Sequence, residues 1–121
     1  MTDAQLKSSI RAITIEARWV QLTDSESRLL RLVWDDPYRA YDGSHDGRWT
    51  VKGYELSNDG LTQLREIAFQ TINAFEGDLG TRNFDSASLE KGKRYKFTIA
   101  DSNAGHEVVT KIVNVDLRSV Q

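Results

Sequence analysis

The chain reads as one small, mainly β domain of the α+β class, with an N-terminal helix and a C-terminal β-hairpin. Three observations lead there. Tyr95, Phe97 and Ile99 alternate with Arg94, Lys96 and Thr98, a turn Asp101-Ser102-Asn103-Ala104-Gly105 follows, and a second run covers Val108 to Leu117. Trp49 and Val51, and then Arg65, Ile67 and Phe69, recur with period two upstream of that hairpin. A capping-box spacing followed by an apolar helical face marks the N-terminus. With 121 residues and 39% apolar content, the chain is long enough for one compact domain and too short for two ordinary ones.

Thr2 and Gln5 have the spacing of a capping box, and Leu6, Ile10 and Ile13 follow on one helical face. The expected helix runs from about Asp3 to about Glu16. A strand is its rival at the far end, because Ile13, Ile15, Ala17 and Trp19 alternate. Trp19 to Thr23 is a short strand, and Thr23 to Ser27 is a polar hairpin loop. Arg28 to Trp34 returns, with Leu30, Leu32 and Trp34 on one face and Leu29, Arg31 and Val33 on the other. Asp35-Asp36-Pro37 ends that strand, since proline removes a ladder donor and constrains the residue before it. A loop to Gly47 precedes the third strand, Arg48 to Leu56, and Ser57-Asn58-Asp59-Gly60 is a turn.

Leu61 to Glu76 carries two patterns. Leu61, Leu64, Ala68, Ile72 and Phe75 form a helical stripe, and a helix here would give the element order of an OB-like barrel. Arg65, Ile67 and Phe69 instead alternate as a strand, with a bend near Gln70 and Thr71, and the strand is the reading adopted. Gly77 to Lys93 reads as polar connection with an apolar island at Phe84.

The residues from Arg28 to Phe75 resemble the WYL domain, a small Sm-like (SH3-like) β-barrel of bacterial regulators. Leu6, Ala12 and Ile13 match its opening helix, and Arg31, Val33 and Pro37 approximate its first strand. Trp49-Thr50-Val51 stands at the name-giving triplet, Gly53-Tyr54 matches the family's Gly-Tyr, and Arg65 to Phe75 matches its apolar ladder. The likeness departs at Ala68 and Thr71, where basic residues are usual. It implies a WYL-like barrel over about residues 1–80 with a hairpin extension over about 84–121. It also implies a regulatory, ligand-sensing module that binds single-stranded nucleic acid or a nucleotide and controls a partner protein. The ligand residues carried over are Arg31, Trp49, Tyr54 and Arg65. The alternative is a protein-interaction module, such as a small inhibitor or accessory subunit, that has lost the ligand.

Composition narrows the choice. The net charge of -2 argues against coating nucleic acid by bulk charge, although a local basic groove is still compatible with it. No cysteine is present, which excludes disulfides and thiolate metal sites and fits a reducing cytoplasm. No apolar run is long enough for a membrane span, and the first residues lack the order of a signal peptide. Asp42, Ser44 and Asp46 match the opening of a calcium loop, but Gly53 stands where the bidentate Glu belongs, so a solvated turn is expected. His45 and His106 each neighbour a carboxylate without an identifiable nucleophile, and the basic run Lys91 to Arg94 reads as a strand start. No enzyme, metal or cofactor is expected, and a homodimer is compatible with the sequence.

Overall fold

In the computed structural model, residues 2–21, 28–41, 47–74, 81–103 and 106–118 are described, with the side chains of 102, 103 and 106–110 left aside. Helix α1 spans Asp3–Arg11, and a short 3-10 turn spans Pro37–Ala40. The strands are β1 (Glu16–Gln21), β2 (Arg28–Asp35), β3 (Arg48–Leu56), β4 (Gln63–Asn73), β5 (Thr81–Ser88), β6 (Arg94–Asn103) and β7 (His106–Asp116). They form a three-stranded sheet ordered β1-β2-β5 and a four-stranded sheet ordered β4-β3-β6-β7, with every pairing antiparallel.

The mainly β class, the single helix and the terminal hairpin are therefore present. Closure of the expected barrel is not seen: the described strands form two sheets, and no ladder joins them among the described residues. The order 1-2-5 opposite 4-3-6-7 is similar to the strand order of an immunoglobulin-like sandwich whose fourth strand sits at the edge of the second sheet. β6 pairs with β3 from Arg94 to Ser102, so the first strand of the terminal hairpin lies inside the sheet and β7 forms its edge.

The core follows the strand alternation. Leu30, Leu32 and Trp34 of β2 face Trp49 and Val51 of β3 and Tyr95, Phe97 and Ile99 of β6, all buried. Trp34 meets Trp49 edge-on with centroids 5.8 Å apart, and Phe84 meets Phe97 at 6.0 Å, so aromatic pairs tie the sheets together. Gly53 makes room for this packing: a Cβ there would lie 2.6 Å from Phe97 Cε1. Leu6, Ile10 and Ile13 join the same core from α1. The capping box forms as expected, Gln5 N donating to Thr2 Oγ1 and Thr2 N to Gln5 Oε1. The helix ends five residues early because the alternating Ile13–Trp19 segment is drawn into the approach to β1 and its ladder with β2.

β1 begins three residues before the expected Trp19, β6 runs on to Asn103 through the first part of the expected turn, and β4 and β5 depart further. Leu61 to Glu76 contains strand β4, without a break at Gln70 and Thr71; its irregularities lie opposite Gly53/Tyr54 and Glu55/Leu56. β5 replaces the expected polar connection. It contributes Phe84 to the core, and the Ser86 hydroxyl accepts from Leu30 N at 2.9 Å where the β2–β5 register slips.

Candidate functional site

The four carried-over ligand residues do not meet. Arg31 lies on the outer face of the three-stranded sheet, whereas Trp49, Tyr54 and Arg65 belong to the four-stranded one. Its guanidinium grips Asp85 through Nε at 2.7 Å and Nη2 at 2.9 Å, so its charge is neutralised across the β2–β5 ladder. That pairing holds the Asp85 carboxyl below its ordinary value. Trp49 and Tyr54 are five residues apart on one strand, which places them on opposite faces.

Trp49 is a core residue, fully buried. Its Nε1 donates to Asp36 Oδ2 at 3.0 Å, and Tyr38 N donates to Asp36 Oδ1 at 2.9 Å. Arg82 Nε stands 3.6 Å from the same Asp36 carboxylate and donates to the carbonyl of Asn73 at 3.0 Å. The Tyr38 hydroxyl reaches Asp101 Oδ1 at 2.7 Å, and Gly47 packs against the Tyr38 ring so closely that a Cβ would clash. This is a buried, hydrogen-bonded clasp that holds the 3-10 turn against β3 and β6. Its groups are satisfied by one another, as buried polar groups must be.

Arg65 is also engaged. It donates to Glu55 Oε1 at 3.2 Å, and Lys93 Nζ donates to the same oxygen at 3.0 Å. Lys93 first and Arg65 second hold the Glu55 carboxyl below its ordinary value. Lys93 also meets Glu90, and Arg94 donates to the carbonyl of Asn58, so these two members of the basic run are engaged locally. The calcium-like turn at Asp42, Ser44 and Asp46, with His45 inside it, lies outside the described residues. Among the described residues, no three His, Cys, Asp or Glu side chains gather as a metal site would need. No helix of the structure is long and apolar enough to cross a membrane.

What remains open is the outer face and β4 edge of the four-stranded sheet. Tyr54, in register with Lys96 of β6, has the Lys96 ammonium 5.4 Å from its ring centroid. Lys52, in register with Phe69 of β4, places its ammonium 5.9 Å from the Phe69 centroid. Phe69 is 63% exposed and Leu64 56% exposed on β4, and Leu61 is exposed just before it. Ile112 of β7 is exposed at the opposite edge, in register with Thr98. Single exposed apolar residues are ordinary, but three large ones on one edge strand and its approach form a surface. The sequence analysis placed Lys96 on the polar face of its strand but singled out none of Lys52, Lys96 and Leu64 as site residues. Its signal for Phe69 was alternation alone, and the pairing of lysine with aromatic across strands depends on a register that no local pattern reveals.

No family model matches the chain, and no curated protein does. The WYL resemblance therefore rests on residue spacing alone. Among solved structures, the chain is similar to part of a penta-heme cytochrome c552 from Thermochromatium tepidum. The TM-score is 0.59 at 10% identity, over 95% of this chain and 42% of that one. The likeness is one of fold, and the chain spans under half of that protein. Having no cysteine, this chain cannot carry a haem through a Cys-x-x-Cys-His attachment. A structural-genomics target matches at a TM-score of 0.40 and 8% identity, over 90% of this chain and 88% of that one.

Proposed function

We propose that this domain is a protein-interaction module, an accessory or regulatory unit that binds a partner protein through β4 and the adjoining outer face of its sheet. The observation that carries this reading is the concentration of Leu61, Leu64 and Phe69, all more than half exposed, on one edge strand and the approach to it. Two further features support it. The arginines that would have gripped phosphates, Arg31 and Arg65, are each paired to a carboxylate. The net charge of -2 supplies no general attraction for nucleic acid. A cytoplasmic setting accords with the lack of cysteine.

A second reading is favoured by the two lysine–aromatic pairs. Tyr54 and Phe69, flanked by Lys96 and Lys52, could stack bases of a single strand while the ammonium groups meet phosphates. The two readings separate in one pair of assays. The Leu64→Asp/Phe69→Asp variant, checked for an unchanged circular dichroism spectrum, should lose a partner that co-purifies with the wild-type domain from its native host. A fluorescent single-stranded oligonucleotide should show no binding that weakens with salt. Salt-dependent oligonucleotide binding abolished by Lys52→Ala/Lys96→Ala, with the same proteins retained by both domain forms, would overturn the proposal in favour of the second reading.

A further inference from the structure

We infer that the C-terminal half of β4, Ala68 to Ile72, is a strand-addition site for an extended peptide segment bearing carboxylates on one face and apolar side chains on the other. This rests on the interaction-module reading and specifies how the partner is held. Among the described residues, β4 has one ladder neighbour, β3, so alternate backbone groups of β4 turn outward, and the Asn73 carbonyl, which accepts from Arg82 Nε, closes the end of the open run. Bare edges are hazardous, and bulges are a usual way of blunting them.

Here the blunting covers only half of the strand. Gly53 pairs with Ala68 but Tyr54 pairs with Glu66, which leaves Ile67 as an extra residue on β4. Glu55 pairs with Arg65 but Leu56 pairs with Gln63, which leaves Leu64 extra in the same way. From Ala68 to Asn73 the register against Gly53 to Arg48 runs without a slip. The strand is thus bulged where it begins and regular where it ends, and the regular run is about the length of an ordinary strand.

Charge then selects the occupant. The run Ala-Phe-Gln-Thr-Ile-Asn carries no ionisable side chain. The β3 residues paired with Phe69 and Asn73 are Lys52 and Arg48, both basic and both on the outer face. Lys52 does not stay over its own strand: its ammonium lies above the Phe69 ring, one strand nearer the edge. A carboxylate on the outer face of an added strand would meet it there. On the inner face, Ala68 and Ile72 are partly buried against the core and would be covered by apolar side chains. Alternation of acidic and apolar residues is the pattern that satisfies both faces, with main-chain hydrogen bonds supplying affinity and the side chains specificity.

The test uses the full chain, isotope-labelled, titrated with a capped hexapeptide of alternating Val and Glu and, separately, with its Val and Lys counterpart. The acidic peptide should shift and protect backbone amides confined to Ala68–Ile72. Its affinity should fall about tenfold in Lys52→Glu, the scale of one lost charge contact, while that variant gains the basic peptide. Equal binding of the two peptides, perturbation centred elsewhere, or no perturbation at all would overturn strand addition. If the peptide fails while Leu64→Asp/Phe69→Asp still loses the host partner, strand addition alone falls. A partner indifferent to those substitutions removes the interaction-surface reading itself.

Discussion

Removing the Asp36 carboxylate should unfold this domain far more readily than its single residue change suggests. Asp36 is 1% exposed and accepts hydrogen bonds from Tyr38 N and Trp49 Nε1, with the Arg82 guanidinium beside it. Asp36→Ala would strand the indole N–H in the core and leave Arg82, itself 11% exposed, facing a cavity. Breaking a buried pair from one side costs about 3–5 kcal/mol. An orphaned buried donor costs about 1–3 kcal/mol, and the two effects overlap because they share one carboxylate. A loss of about 4 kcal/mol is the expected sum, a large share of the roughly 5–15 kcal/mol that holds a domain together. Asp36→Asn should recover little, since its amide can accept from one donor but presents N–H groups to the other and to Arg82. Urea unfolding followed by tryptophan emission reports on this directly, because Trp34 and Trp49 are both buried. A shift of midpoint at constant m-value is expected. A loss under about 1 kcal/mol for Asp36→Ala, or full rescue by Asn, would refute the idea that this clasp depends on a charged acceptor.

Two further predictions concern the sheets themselves. Gly53→Ala should cost about 1–3 kcal/mol, because the new Cβ would press 2.6 Å from a ring, Phe97, that is fully buried and packed on Phe84; an unchanged melting temperature would mean that the sheets have slack at this point. The second prediction is acid sensitivity. Glu55, held by Lys93 and Arg65, and Asp85, held by Arg31, both titrate below their ordinary values in the folded state. The stability they contribute is complete above the unfolded carboxylate range near ~4 and is lost as pH falls through their folded values. Melting temperature should therefore be level from neutral pH to about 5 and fall below about 4, less steeply in Glu55→Gln/Asp85→Asn; a profile identical to wild type in that variant would contradict the assignment.

Much of the fold is legible in the sequence where one side of a strand is buried and the other is not. β3 and β6 show this in Trp49, Val51, Phe97 and Ile99, whose alternation matches the inner face residue for residue. β4 is obscured by its own bulges. Arg65, Ile67 and Phe69 alternate in sequence, but the extra residue Ile67 puts Arg65 opposite Glu55 and Phe69 opposite Lys52, on different faces. The extra residue Leu64 and the polar Gln70 between Ala68 and Ile72 leave apolar positions four apart, which imitates a helical stripe. β5 hides because it is an edge strand that gives the core little beyond Phe84, while Ser86 is buried for its hydroxyl rather than for apolar surface. Barrel and sandwich differ in which strands pair, and local periodicity carries no information on pairing. The candidate site failed for a related reason. Trp49 and Tyr54 share a strand but not a face, and Arg31 and Arg65 meet their carboxylates only through neighbouring strands. Asp36 announced itself only as the residue before a proline, although its partner indole is thirteen residues away.

The most direct test of the account places a photo-crosslinking amino acid at Phe69, and in a separate protein at Arg31, and irradiates each in the native host. Phe69 lies on the exposed edge strand of the four-stranded sheet, whereas Arg31 lies on the outer face of the other sheet. The account predicts a discrete protein adduct from position 69 that disappears when Leu64→Asp is added, and none from position 31. The same adducts from both positions, or an adduct from position 31 alone, would contradict it.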